Sequence, residues 1–246
     1  MKRIIPVLLL LLLITTGCTP AAFNAPTQTT TAPTSVSTPP IQAEQPWWKT
    51  AVFYEIFVRS FYDSNGDGIG DFNGITQKLD YLNDGNPATT NDLGITAIWL
   101  MPIHPSPSYH GYDVLNYYAV NPDYGTISDF QNLLAEAHKR GIRVIIDLVL
   151  NHTSDRHPFF LDAIRSETSP YHDWYVWSAT NPGARWYPAI VGQSTLYYYG
   201  YFCGCMPDLN YRNPAVTDQM EKVAKFWLET VGVDGFRVDA AKHLIE

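Results

Sequence analysis

Four continuous apolar runs, separated by segments of helical periodicity, constrain this chain's fold more than any other feature. The runs are residues 51–58 (AVFYEIFV), 95–101 (ITAIWLM), 143–150 (RVIIDLVL), and a last one through Val233, Phe236 and Val238 that Gly232 and Gly235 bound. A strand that is apolar at successive positions is buried on both faces, as in a parallel sheet covered by helices. Helical spacing lies between the runs. Ile75, Leu79 and Leu82 lead to Gly85. Phe130, Leu133, Leu134 and Ala137 lead to Gly141, with Ser128 and Gln131 read as a capping box. Val216, Met220, Val223, Trp227 and Val231 follow the start signal Asn213 and Pro214 and stop at Gly232. The class is therefore α/β. Polar residues collect at the C-terminal ends of the strands: His104, Asp147, Asn151, His152, Arg237 and Asp239. In a (β/α)8 barrel that rim carries the chemistry. A doubly wound open sheet alternates in the same way, but it carries a Gly-rich phosphate turn after its first strand, and the Gly-bearing loop here is of another kind.

The N-terminus reads as a targeting segment. Lys2 and Arg3 precede an apolar run over residues 7–14, too short to span a bilayer comfortably, and then Thr15, Thr16, Gly17 and Cys18. Small residues before a Cys are those of a bacterial lipoprotein signal, so residues 1–18 are expected to export the chain and Cys18 to carry the lipid. The alternative is an ordinary signal peptide with an incidental Cys. Residues 19–45, rich in Thr, Pro, Ala and Ser, cannot bury enough apolar surface to order themselves and read as a tether. The net charge of −8 argues against a nucleic-acid partner. Cys203 and Cys205 stand one residue apart, poor geometry for a disulfide, and lack neighbours at metal-ligand spacing. They are expected to be structural or incidental. Between the third run and the last helix lies a Tyr- and Trp-rich stretch without periodicity, too long to be a passive loop. It reads as a small subdomain over the cleft.

Several short motifs carry chemistry. In VDGFRVDAAKH (233–243), Arg237 and Asp239 are two residues apart on a strand and so share a face. A guanidinium beside a carboxylate keeps it ionised and aimed, as a glycosidase nucleophile must be. A structural ion pair at a strand end is the plainer reading of these two residues alone. In DSNGDGIGD (63–71), Asp63, Asn65, Asp67 and Asp71 alternate and Ile69 can offer its carbonyl, a set of hard oxygens that suits Ca2+. Gly74 stands where an EF-hand requires Glu, so an EF-hand fold is excluded. DLVLNH (147–152) puts Asn151 and His152 at the start of a loop, where both can bind hydroxyls and Asn151 can also offer a carbonyl to a cation. YHGYD (109–113) sets a Tyr face beside a carboxylate.

DLVLNH, MPDLN (206–210) and GFRVDAAKH (235–243), in that order, resemble three ordered signatures of the α-amylase family, and YHGYD and the DSNGDGIGD loop fit the same family. The resemblance covers residues 47–246 and is strongest to α-amylases lying between neopullulanases and oligo-1,6-glucosidases. It implies retaining hydrolysis of α-glucosidic bonds on a (β/α)8 barrel, with residues 46–152 as its first part, 153–212 as the inserted subdomain after the third strand, and 213–246 as the continuation through the fourth. By motif position Asp239 resembles the nucleophile and Arg237 the residue that orients it. Tyr112, Asp113 and His152 resemble the grip on the sugar whose bond is broken. Lys242 and His243 resemble contacts on the leaving-group side. Asp147 is expected to hold Arg237, and Asp208 to be structural. Asp63, Asn65, Asp67, Ile69 and Asp71 resemble a calcium loop. A retaining mechanism also needs a carboxylic acid about 5 Å from the nucleophile. In the family it is a Glu after the fifth strand, and Glu246 is too close to Asp239 to be that residue. The expectation is thus the first half of a barrel, inactive by itself, from an enzyme that cuts internal α-1,4 bonds of starch-like glucans. An α-glucosidase, a neopullulanase or a glucan transferase is the alternative within enzymes. A non-catalytic, amylase-like sugar- or partner-binding protein is the alternative outside them.

Overall fold

The computed structural model of the chain describes residues 45–244. The expected signal peptide with Cys18, residues 19–44 of the tether, and Glu246 lie outside the described residues. The strands in chain order are β1 (Phe53–Ile56), β2 (Ala97–Leu100), β3 (Arg143–Val149), β4 (Trp177–Ser178), β5 (Trp186–Val191), β6 (Ser194–Tyr199) and β7 (Gly235–Asp239). β1, β2, β3 and β7 form one parallel sheet in that order, and β4, β6 and β5 form a small antiparallel sheet. The long aperiodic stretch between β3 and β7 therefore does carry order, as a hairpin sheet of aromatic-rich strands. The helices are α1 (Val58–Phe61), α2 (Phe72–Gln77), α3 (Leu79–Leu82), α4 (Ile127–Lys139), α5 (Pro158–Ala163) and α6 (Pro214–Lys225).

Ile98, Leu100, Val144 and Ile146 are wholly buried in one apolar cluster with Phe72, Phe130, Leu133 and Trp227. The Phe130 ring lies 5.0 Å from Phe72 and 6.1 Å from Trp227. α6 continues as a wider turn over Phe226–Val231 and stops at Gly232, whose φ of 98° is left-handed. Burial of this apolar face, rather than propensity, holds such short helices in place.

Local expectations fail in three places. The cap of α4 is Thr126 with Asp129, each side chain bonding the other's backbone N–H, and not Ser128 with Gln131. Periodicity sets where an apolar face lies, but the cap falls where the chain leaves extended geometry, here at Thr126. The helix read through Ile75, Leu79 and Leu82 is broken at Lys78 into α2 and α3. The first strand is shorter than its apolar run, because Val58 already begins α1.

Candidate functional site

The site is set by register. Asp147 lies opposite Arg237 across the β3–β7 pair, and Val149 opposite Asp239. Alternate residues share a face, so Asp147, Arg237 and Asp239 project to the same side at the C-terminal ends of adjacent parallel strands. One guanidinium nitrogen of Arg237 donates to both carboxylates, at 2.8 Å to Asp147 Oδ1 and 2.5 Å to Asp239 Oδ1. Trp99 of β2 completes the support. Its indole N–H donates to Asp147 Oδ2 at 3.0 Å, and its ring lies 5.0 Å from the Arg237 guanidinium carbon. Burial pushes the Asp147 carboxyl up, while Arg237 and the Trp99 N–H pull the other way. Arg237 is raised above its ordinary value by these carboxylates, against the opposing pull of its own burial. Asp147 has no exposed surface, whereas Asp239 keeps some. The inner carboxylate is thus spent on holding the arginine, and the outer one faces space.

That space is a hollow of about 250 Å³ lined by His110, Tyr112, His152, Phe202, Met206 and Asp239. Burial and the neighbouring Asp147 carboxylate push the Tyr112 phenol above its usual range, so it stays a hydroxyl donor. Its oxygen lies 3.4 Å from Asp147 Oδ2. Burial also brings His152 down to about 4, against the pull of Asp239, so the imidazole is neutral at neutral pH. His152 Nε2 faces the Tyr112 carbonyl at 3.2 Å and its Nδ1 faces the Asn151 amide nitrogen at 3.5 Å. A neutral ring with its proton on Nε2 satisfies both contacts.

A family model described as "Alpha amylase, catalytic domain" matches residues 55–246. The chain belongs to the α-amylase family. It is 53% identical over 205 residues to Alpha-amylase 3 of Dictyoglomus thermophilum, covering 82% of this chain and 38% of that protein. It is 43% identical over 210 residues to an oligo-1,6-glucosidase of Parageobacillus thermoglucosidasius, covering 80% and 35%. The crystal structure of an α-amylase from H. orenii superposes with a TM-score of 0.73 at 55% identity, over 80% of this chain and 41% of that one. The trehalulose synthase MutB of Pseudomonas mesoacidophila MX-45 superposes with a TM-score of 0.74 at 40% identity, over 82% and 37%. A MutB variant was solved in complex with the substrate sucrose. This chain thus spans well under half the length of the relatives it matches, within the catalytic domain of a glycoside hydrolase family.

Not every residue expected at an α-amylase site reaches the hollow. Asp113 is buried, and its Oδ1 accepts from Ser106 Oγ at 2.5 Å and from Ser108 Oγ. Lys242 is exposed on the short turn Ala241–His243. His243 stacks on Tyr201, ring centres 3.7 Å apart, and lines a second hollow of about 220 Å³ with Trp186, Tyr199, Asp208 and Arg212. Asp208 accepts from the Tyr201 N–H and is bridged in antiparallel fashion to His152. His104, on the strand-end rim by sequence, is buried between the rings of Tyr117 and Trp227 and takes no part. Asn151 Oδ1 is enclosed without a hydrogen-bond partner among the described residues.

The loop over 63–71 has the donor chemistry of a hard-cation site, but its oxygens are engaged by the chain itself. Asp63 accepts from the N–H groups of Asn65, Gly66 and Gly68, which hold it below the usual carboxylate range. Asp67 accepts from the Ile69 N–H, and Asn65 Oδ1 from the Asp67 N–H. Asp71 caps α2 through the Gly74 N–H and also takes Ser64. No three acidic, His or Cys side chains among the described residues come together as a metal site. The sequence pattern identifies oxygen donors; their convergence depends on how the turns spend them. A correction concerns Cys203 and Cys205, which form a disulfide with their Cα atoms 5.2 Å apart. Spacing argued against it, yet the chain turns tightly enough here for the Met206 N–H to donate to the Cys203 carbonyl at 3.1 Å, which brings the two sulfurs together.

His110, Phe202, Met206 and Trp99 were not singled out from sequence as site residues. His110 stands inside YHGYD, where the Tyr and Asp carry the more obvious sugar-binding chemistry. Trp99 is hidden in an apolar strand, and Phe202 and Met206 lie in the stretch without periodicity.

Proposed function

We infer that this chain carries the nucleophile of a retaining α-amylase-type glycosidase that acts on internal α-1,4 bonds of starch-like glucans, on the first four strands of a (β/α)8 barrel. The observation behind it is the arginine that binds an enclosed and an open carboxylate at once, the open one facing a hollow with Tyr112 and His152. An ionised, immobile carboxylate at a cleft wall is fit to attack an anomeric carbon, with Arg237 fixing its direction. Tyr112 and the neutral His152 ring form the wall against which the sugar under attack would lie, with Asp113 held behind them by Ser106 and Ser108. Lys242 and His243, on the turn after β7, are assigned to the leaving-group side by their motif position alone. Asp147 cannot serve as the general acid, because both its oxygens are engaged and it is closed to solvent.

A substrate with a leaving group that needs no proton isolates the nucleophile. Treated with 5-fluoro-α-glucosyl fluoride, the chain should gain one covalently attached sugar on the peptide containing Asp239, and Asp239→Asn should gain none while still binding maltoheptaose. Labelling of another residue, or none in the native chain, would overturn the assignment. The α-glucosidase, neopullulanase and glucan transferase alternatives differ from an α-amylase in bond or chain length, and product analysis on starch against maltose separates them. Calcium binding by Asp63, Asn65, Asp67, Ile69 and Asp71 is part of the same proposal, supported by an all-oxygen donor set. So is export with a lipid on Cys18, read from residues 1–18; among the described residues no helix is long and apolar enough to cross a membrane. Metabolic labelling with a fatty acid, lost in Cys18→Ser, tests the anchor.

A further inference from the structure

The disulfide sits on the wall of the hollow, and its immediate neighbours are the wall. Phe202 precedes Cys203 and Met206 follows Cys205, and both line the space in front of Asp239. Phe202 is 48% exposed, and its ring stands edge-on to His152 at 5.3 Å and to Tyr201 at 5.1 Å. The bridged segment is held from behind. Tyr198 of β6 donates its hydroxyl to the Gly204 carbonyl at 2.6 Å, and the Asp155 N–H donates to the Cys205 carbonyl at 3.0 Å. The Met206 N–H donates to the Cys203 carbonyl at 3.1 Å, across the bridged ring. A Cβ on residue 204 would come within 2.8 Å of the Tyr187 ring, so the ring is seated flush on the antiparallel sheet.

We propose that the Cys203–Cys205 bridge is a positioning device for sugar binding: it locks the backbone between Phe202 and Met206 and so presets the apolar side of the hollow at Asp239. This rests on the reading of that hollow as the site for an α-glucan. The bridge acts before the sugar arrives, by removing freedom that binding would otherwise have to remove. Opening it requires a dithiol reductant: two electrons and two protons pass to the sulfurs of Cys203 and Cys205, and the reductant closes its own S–S bond. Cys205 is exposed, so a reductant can reach it.

The test is titration of maltoheptaose into the whole chain, by calorimetry, before reduction with dithiothreitol, after it, and after reoxidation. The Met206 methyl resonance is followed in parallel in protein labelled at its methionine methyls. The expected result is about tenfold weaker binding on reduction, a shift of Met206 with Met220 unmoved, and recovery of both on reoxidation. A Cys203→Ser/Cys205→Ser variant should start at the weak value and ignore the reductant. Because the native chain is measured in both states, failure of the variant to fold does not affect the outcome. Equal affinity in the two states overturns the positioning role alone, as do free thiols at 203 and 205 in the air-exposed protein. Absence of glucan binding in every state overturns the glycosidase reading and the role together. In protein that turns over glucan, reduction should raise KM about as much and leave kcat unchanged; a fall in kcat alone counts against it.

Discussion

Arg237 is the residue on which the site turns, because it is the one cation shared by a fully enclosed carboxylate and a half-open one. Removing it should do more than misdirect Asp239. Arg237→Met would leave Asp147 buried without a counter-charge, a situation that costs about 3 kcal/mol or more. Urea unfolding should show that loss, whereas Asp239→Asn, at the partly exposed end of the same pair, should shift the midpoint little. Asp147→Asn should spare most of the stability and lose the directing bond to Arg237, read as slower labelling at Asp239. Tyr112 and His152 contribute by being uncharged at working pH, one kept protonated and the other kept neutral by the same burial.

At the scale of elements, caps and turns decide what the acidic loop can do. Asp71 is the N-cap of α2, so Asp71→Ala should destabilise the chain by about 1 kcal/mol even in chelator, as loss of an N-cap does. Thr126→Ala should cost a similar amount at α4. If the loop takes calcium, the melting temperature should rise with added Ca2+ and return with chelator, since a ligand bound only to the folded state stabilises it by mass action. In Asp63→Ala or Asp67→Ala that response should vanish. An unchanged melting temperature in the native chain would remove the loop from the list of metal sites.

The whole molecule should be sensitive to acid for reasons distributed across it. His104, His152 and His157 are each brought down to about 4 by burial. In the unfolded chain these imidazoles take a proton near pH 6.5, and in the folded chain not until about 4. The unfolded state therefore binds more protons throughout that window, and stability falls as pH drops through it. Each could contribute roughly 1–3 kcal/mol at the bottom of the window. Thermal melts from pH 7 to 4 should show the decline, and His104→Gln, remote from the hollow, should flatten it without changing maltoheptaose affinity at pH 7. A melting temperature flat across this range would contradict the burial of these rings.

The order of the four parallel strands and the pairing of Arg237 with Asp239 could be read from residues alone, because periodicity and short-range spacing are local properties that the backbone converts directly into faces, and the family from the resemblance of its ordered motifs. What lay beyond reach involved partners distant in sequence. The register that sets Asp147 against Arg237, ninety residues on, the Trp99 ring over the guanidinium, and the hollow joining His110 to Phe202 and Met206 exist only when β2, β3, β7 and the aperiodic stretch meet. The cap at Thr126, the bridge between Cys203 and Cys205, and the spending of Asp71 on a helix end went the same way. In each, a residue type permitted several bonds, and the packed chain selected one by deciding which partner stood within hydrogen-bonding or covalent distance.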